Sequence, residues 1–240
     1  MIELARKIVP VPVKNIAKRV RDAFYWDQWQ QRSWSQEGED QILRRIFERQ
    51  QSGFYVDVGA HHPMRFSNTY LFYKLGWSGI NIDAMPGSMQ AFREMRPRDI
   101  NLELGVGLEA MEKEYYIFNE PALNGFSKQL SMERERAHDI YKIIDVKTIK
   151  IEPLAQILDS NLKYDQNIDF LSVDVEGLDF EVLKSNNWNK YRPQYVLVEI
   201  LGSSLQDIGC HDISQFMRDN GYEIYAKCVN TVFFKRVVNQ

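Results

Sequence analysis

Cysteine is nearly absent from this chain, and histidine is scarce. The two cysteines, Cys210 and Cys228, form no C-x-x-C spacing, and His61, His62, His138 and His211 do not complete a zinc set. A structural zinc scaffold is thereby excluded, and the expectation is a reduced cytoplasmic protein with two buried thiols rather than one with a lone disulfide. No apolar run approaches the roughly 18 residues that suggest a membrane span. Met1 to Val13 alternates charged and apolar residues with two prolines, so the apolar heart of a secretion signal is missing as well. Positive charge is not in excess either. Lys and Arg number 30 against 33 Asp and Glu, a net charge of -3, which argues against a nucleic-acid binder. A Ser-His-Asp arrangement is also lacking.

What the chain does have is 240 residues, 44% hydrophobic and 26% charged, enough for one large domain with a substantial core. Within it, Gly53-Phe54-Tyr55-Val56-Asp57-Val58-Gly59-Ala60 reads as a buried strand entering a glycine turn, with an acid just before the turn. A second apolar run, Gly79-Ile80-Asn81-Ile82-Asp83, ends in another acid. Acids at the carboxyl ends of consecutive parallel strands suit a nucleoside, the second accepting hydrogen bonds from ribose hydroxyls. Only one glycine of a G-x-G-x-x-G pattern is present, because His61, His62 and Pro63 follow Gly59. A pyrophosphate needs close backbone approach over several residues. The turn therefore favours a nucleoside without phosphate, and S-adenosylmethionine is the obvious one.

Residues 1–32 read as a basic arm and 33–240 as the globular domain. Residues 1–21 alone carry a net charge of +5, with Val9, Val11, Val13 and Ile16 interleaved. This arm is either a solvated extension or a contact for an anionic membrane face or a partner, and Pro10 and Pro12 argue against a continuous helix in it. Helices are expected over about 37–50 and 68–75, from Ser88 as cap to Pro97, from Pro153, around Phe180, and from Asp212 as cap. Strands are expected over about 54–58, 80–83, 100–106, 113–118, 145–151, 168–175 and 195–200. Met132 to Asp139 reads as a charged flap, helical or mobile. Tyr222–Cys228 and Thr231–Lys235 are joined so closely that they must pair as an antiparallel hairpin. Alternating βα units closed by such a hairpin give an α/β, three-layer sandwich with a seven-stranded mixed sheet, the Rossmann-like class I methyltransferase layout.

From about residue 33 to the C-terminus the chain resembles the FkbM family of S-adenosylmethionine-dependent methyltransferases. The blocks that carry the likeness are Ser35-Gln36-Glu37-Gly38-Glu39-Asp40, Asp57-Val58-Gly59-Ala60, Ser67-Asn68-Thr69-Tyr70 and Gly76-Trp77-Ser78-Gly79-Ile80. Asp83-Ala84-Met85-Pro86, Asp174-Val175-Glu176-Gly177 and Val198-Glu199-Ile200 complete them. The resemblance implies O-methylation of hydroxyls on sugars and natural products, often within polysaccharide or antibiotic pathways. The chain departs from the pattern at His61-His62-Pro63, where many relatives carry Asn, a variable residue and Gly.

Each candidate residue has a chemical reading and a structural one. Asp57 would accept from the methionine ammonium, directly or through water, or else cap local amides. Gly59 would let the cofactor approach, Asp83 would hold the ribose, and Gly105 and Val106 would flank the adenine. Ser67 and Asn68 either touch the cofactor or cap a helix. His61 and His62, beside the glycine turn, serve as cofactor contact, base or substrate ligand, or else are structural. Asp174 and Glu176 at the carboxyl end of a central strand, joined by Glu199 from the next, would act as general base or bind a divalent metal. The lack of a histidine among them favours the metal-independent case. Glu39 is expected to close over the site, and His211 is a further candidate. The competing functions are a nicotinamide-dependent oxidoreductase, disfavoured by the missing glycines, and a non-catalytic interaction platform. The platform is disfavoured because an idle site has no need to bury charge.

Overall fold

In the computed structural model, residues 11–27, 29–120, 123–175 and 177–237 are described. The chain divides into two compact units, Met1–Ser33 and Trp34–Gln240. The first unit contains one helix, α1 (Val11–Asp27). Pro10 lies outside the described residues, and Pro12 does not prevent this helix. Pro12 falls in the first turn, where a backbone N–H has no intrahelical partner to lose.

The second unit opens with α2 (Glu39–Ile46), β1 (Phe54–Val58), α3 (Tyr70–Lys74), β2 (Ser78–Asp83), α4 (Ser88–Met95) and β3 (Ile100–Glu103). An inserted stretch follows, with β4 (Gly105–Val106), β5 (Met111–Phe118), α5 (Lys128–Ala137) and β6 (Ile143–Glu152). The chain then continues through α6 (Leu154–Asn161), β7 (Phe170–Val173), α7 (Asp179–Lys184), β8 (Tyr195–Glu199), α8 (Asp212–Asp219), β9 (Tyr222–Lys227) and β10 (Thr231–Arg236). Seven strands form one sheet in the order β3-β2-β1-β7-β8-β10-β9, and β10 runs antiparallel to both its neighbours. The insertion builds a second sheet, ordered β4-β6-β5. The expected fold class is the observed one.

Three layers follow from side-chain alternation along the strands. Val56, Val58, Leu171, Val173, Val196 and Val198 pack one face against α6, α7 and α8 through Leu154, Ile157, Val182, Leu183, Ile213 and Met217. Tyr55, Phe170, Leu197 and Phe233 pack the other face against α2 and α3 through Leu43, Leu71 and Phe72. Strands buried on both faces read as unbroken apolar runs, which is why the sequence placed them well.

Several expectations need correction. The run 100–106 is not one strand. It leaves the main sheet after Glu103, and Gly105–Val106 pairs with β6 instead. Ser88 does not cap α4, since Gly87 does so in a left-handed conformation with φ 85°. Asp212 does not cap α8, because the His211 imidazole accepts from the Ile213 N–H. Of the two readings of the charged run, helical or mobile, the helical one holds, since it lies mostly in α5. The thiols are free but not both buried: Cys210 is exposed and Cys228 half-buried, its thiol pushed up to about 12 by burial.

Beneath the carboxyl edge lies a polar cluster centred on Arg96, a guanidinium with no exposure to solvent. It donates to Asp99 Oδ2 at 2.8 Å, to the Tyr55 hydroxyl at 2.7 Å and to Thr69 Oγ1 at 3.0 Å. Thr69 in turn donates to Asp57 Oδ2 at 2.7 Å. Arg96 is thus already matched by Asp99, and an ionised Asp57 adds a second buried negative charge. Burial pushes the Asp57 carboxyl from 3.8 up to about 6, against the opposing pull of Thr69 and Arg96. Since the folded value exceeds the unfolded one, the stability gained by proton binding is full below about pH 4 and is lost as pH rises through 6. Asp57→Asn should therefore be more stable than the parent at pH 7.5, by up to about 3 kcal/mol, with the difference closing towards pH 4. Urea unfolding across pH 4–8 measures this. A variant less stable at every pH would show that Arg96 fully offsets the buried carboxylate.

Candidate active site

The sheet order reverses between β1 and β7, and the crevice at such a point is where open α/β sheets bind ligands. Gly59 sits there with φ 82°, and a Cβ on it would stand 1.7 Å from the carbonyl oxygen of Asp174. No other residue type fits. The glycine lets three strand ends close on one another: Gly59 N–H donates to Ile82 O at 2.9 Å, and Asp174 N–H to Val58 O at 2.9 Å.

Asp83, at the end of β2, faces the resulting cleft with both carboxylate oxygens fixed. Oδ2 accepts from the His61 N–H and Oδ1 from the Met85 N–H, each at 2.8 Å. Each oxygen keeps a second lone pair for a ligand. Burial raises the Asp83 carboxyl above its usual range, and these two amides pull it back. His61 adopts a left-handed φ of 52°, a strain of order 1 kcal/mol that the bond to Asp83 helps hold.

The cleft has a volume of about 730 Å³. Val58, Gly59, Ile82 and Asp83 line it from the main sheet's edge, and Gly105 and Val106 from β4. The insertion contributes Lys113, Tyr115, Asn124, Phe126, Ser131 and Arg134. Phe126 rests on the bare backbone of Gly105, where a Cβ would come within 2.8 Å of its ring, and it meets Tyr115 edge-on at 4.8 Å. Asn124 is 7% exposed, and its Oδ1 accepts from the Phe118 N–H at 2.8 Å. Its amino group has no partner among the described residues, so it is a buried donor held ready for a ligand acceptor.

Of the sequence candidates, Gly59, His61, Asp83, Gly105, Val106 and Asp174 line this cleft. Asp57 does not. It is 5% exposed and belongs to the Arg96 cluster below the floor. Ser67 Oγ accepts from the Tyr70 and Thr69 N–H groups at the start of α3, and Asn68 donates to Ser172 Oγ, so neither lines the cleft. His62 is outside the lining too. Its Nδ1 accepts from the Met64 and Arg65 N–H groups, and burial lowers its pKa, which makes it a neutral turn-former. Glu199 ends β8 half-buried, away from the lining, and Glu176 lies outside the described residues. Glu39 does not close over the cleft but accepts from the Thr231 hydroxyl on β10. Among the described residues no three His, Cys, Asp or Glu side chains are placed to share a metal ion.

A methyltransferase FkbM domain model matches residues 57–224. The chain belongs to the FkbM methyltransferase family. Solved structures similar in fold include a TehB-like S-adenosylmethionine-dependent methyltransferase from Corynebacterium glutamicum, at 11% identity and TM-score 0.42, covering 95% of this chain and 100% of that one. Another is a protein described as a candidate RNA methyltransferase from Pyrococcus horikoshii, at 10% identity and TM-score 0.44, covering 84% of each chain. No curated protein matches the sequence significantly.

The FkbM chain is an S-adenosylmethionine-dependent enzyme, and its cleft fits that cofactor. The volume falls within the usual range of about 300–1,000 Å³ for small-molecule sites. On that fit Gly59 would leave room for the methionine end, Asp83 would present lone pairs to the ribose hydroxyls, and Leu104, Val106 and Phe126 would offer apolar surface to the base. When bound, the group supplies a sulfonium methyl. Reading residues one at a time missed Asn124 and Phe126. Their signal was the Asn124-Gly125-Phe126-Ser127 turn between two alternating strands. Asp83→Ala should weaken binding of S-adenosylhomocysteine roughly ten- to a hundredfold, as loss of a charge-assisted contact of about 1.5–3 kcal/mol predicts. Calorimetry on variant that melts normally checks this, and unchanged affinity would remove the ribose from β2.

Proposed function

We propose that this FkbM enzyme moves the methyl group of S-adenosylmethionine to a hydroxyl of a sugar, a polysaccharide or a sugar-containing metabolite. The supporting observation is the polar lining that the insertion contributes. Lys113, Asn124, Ser127, Ser131 and Arg134 bring donors and acceptors to the same cleft as the cofactor half, as a polyhydroxylated acceptor requires. An apolar acceptor would leave these groups desolvated and unmatched.

An alcohol must lose its proton as it attacks the methyl. Asp174 is the carboxylate that follows β7 at the switch point and lines the cleft, so it is assigned as general base. Its backbone is pinned against Gly59, which fixes where the carboxylate emerges. The rest of the acceleration comes from holding hydroxyl and methyl in line. The nicotinamide reading falls with the family match, and the terminal hairpin agrees.

Turnover is measured as S-adenosylhomocysteine released in the presence of a panel of sugars and oligosaccharides. Asp174→Asn should lower kcat by roughly 10²–10⁴ while leaving S-adenosylhomocysteine affinity nearly unchanged. Turnover should ignore EDTA and rise with pH through one ionisation. Full activity in Asp174→Asn would sink the base assignment, and restoration by magnesium after EDTA would replace it with a metal.

A further inference from the structure

Over residues 13–22 the helix α1 places its apolar and charged residues on different sides. At 100° per residue, Val13, Ile16, Ala17 and Val20 fall within one sector about 100° wide. The three large ones are open to solvent: Val13 is 50% exposed, Ile16 61% and Val20 62%. A solvated extension has no reason to align its apolar residues, because the arrangement gains nothing in water. Arg19 flanks the sector on one side and Arg21 on the other, while Lys18 lies opposite its centre. Arg21 holds Asp22 through a side chain 72% exposed, a surface pair of little worth that water or an anion can replace.

Charge selects the occupant. Residues 1–21 carry a net +5 in a chain of net charge -3, which leaves -8 for the remainder. A second copy of this chain would bring its own basic arm against the first, so self-association through this face is opposed by like charge. An anionic surface is attracted to the arm and repelled by the remainder, which directs contact to the arm. We propose that α1 is an interfacial helix that lies in the plane of an anionic lipid membrane, with Val13, Ile16 and Val20 in the acyl boundary and the flanking arginines at the headgroups. A helix of 17 residues is about 26 Å long, and it lies on the surface rather than crossing. Among the described residues no helix is long and apolar enough to span. Long basic side chains extend from the edges of such a helix to phosphates while their stems stay with the apolar sector.

The probe is the full chain mixed with vesicles of equal parts phosphatidylglycerol and phosphatidylcholine, or of phosphatidylcholine alone, and read by flotation. The protein should float with the anionic vesicles and not with the neutral ones. About 1 M salt, which shortens the Debye length to about 3 Å, should weaken the association. Ile16→Glu with Val20→Glu should reduce flotation roughly tenfold or more, while S-adenosylhomocysteine affinity and solution turnover stay at parental values. Lys18→Gln with Arg19→Gln should reduce it on anionic vesicles and flatten the salt dependence. No flotation of the parent at low salt would overturn the proposal. So would full flotation of the Ile16→Glu, Val20→Glu variant, or a shift of that variant from dimer to monomer by light scattering, which would assign the face to a second copy.

Discussion

A guanidinium sealed from water sets the terms for much of this fold. Arg96 has no exposure, so each of its donors must be met inside the protein. Its four partners come from three places in the sequence: Tyr55 on β1, Ser67 and Thr69 ahead of α3, and Asp99 ahead of β3. Asp99 binds the Gly79 N–H at 2.9 Å and the Asn81 side chain at 3.0 Å, which extends the grip to β2. Removing Asp99 strands a buried charge and removing a hydroxyl partner leaves a buried donor unmet, so these elements depend on one another. Asp57 sits at the edge of this cluster, which is why a residue marked by a cofactor motif serves first as part of the floor.

Gly59 plays a different part. It brings backbone to backbone where side chains would keep strands apart. With Gly59 N–H on Ile82 O and Asp174 N–H on Val58 O, the ends of β1, β2 and β7 are mutually fixed. Two acids distant in sequence, Asp83 and Asp174, emerge into one cleft as a result. The chemistry at the edge is thus positioned by main-chain geometry.

Parity explains which sequence readings survived. β1 was legible as 54–58, because strands buried on both faces show as unbroken apolar runs. The same alternation decides Asp57: it shares its face with Tyr55, towards α3 and Thr69, while Val58 points to the cleft. The motif identified the residue but not its direction. Arg96 escaped notice because a lone arginine before a proline reads as solvated, and its partners lie up to 41 positions away. The acids of Ser35–Asp40 were legible as a family signature, yet their work is local and distant at once. Asp40 accepts from the Trp34 N–H, whereas Glu37 accepts from the Asn230 N–H, 193 positions on. Only strand pairing reveals such contacts. Caps failed for a related reason, since Gly87 and His211 act through a backbone angle and a ring nitrogen that propensity does not encode.

The cleft draws on two bodies of structure with different freedom to vary. Its main-sheet side is held by backbone bonds at Gly59, Ile82 and Asp174, so change there disturbs the strands themselves. The insertion's strands pair with one another, β4 to β6 through Gly105 with Ile151 and Val106 with Glu152, and β5 to β6 along an antiparallel ladder. Side chains on β5 and α5 can therefore change without moving Asp83 or Asp174. On the proposed reading this separates recognition of the acceptor from binding of the cofactor. The separation is incomplete at one point, because Phe126 from the insertion lies directly on Gly105 beside the base-binding surface. A bulkier residue at Gly105 would displace that ring and, with it, the Asn124 amide two positions before it. Acceptor preference and cofactor affinity are consequently joined through a single aromatic contact, while the remainder of the polar lining is free to follow the acceptor.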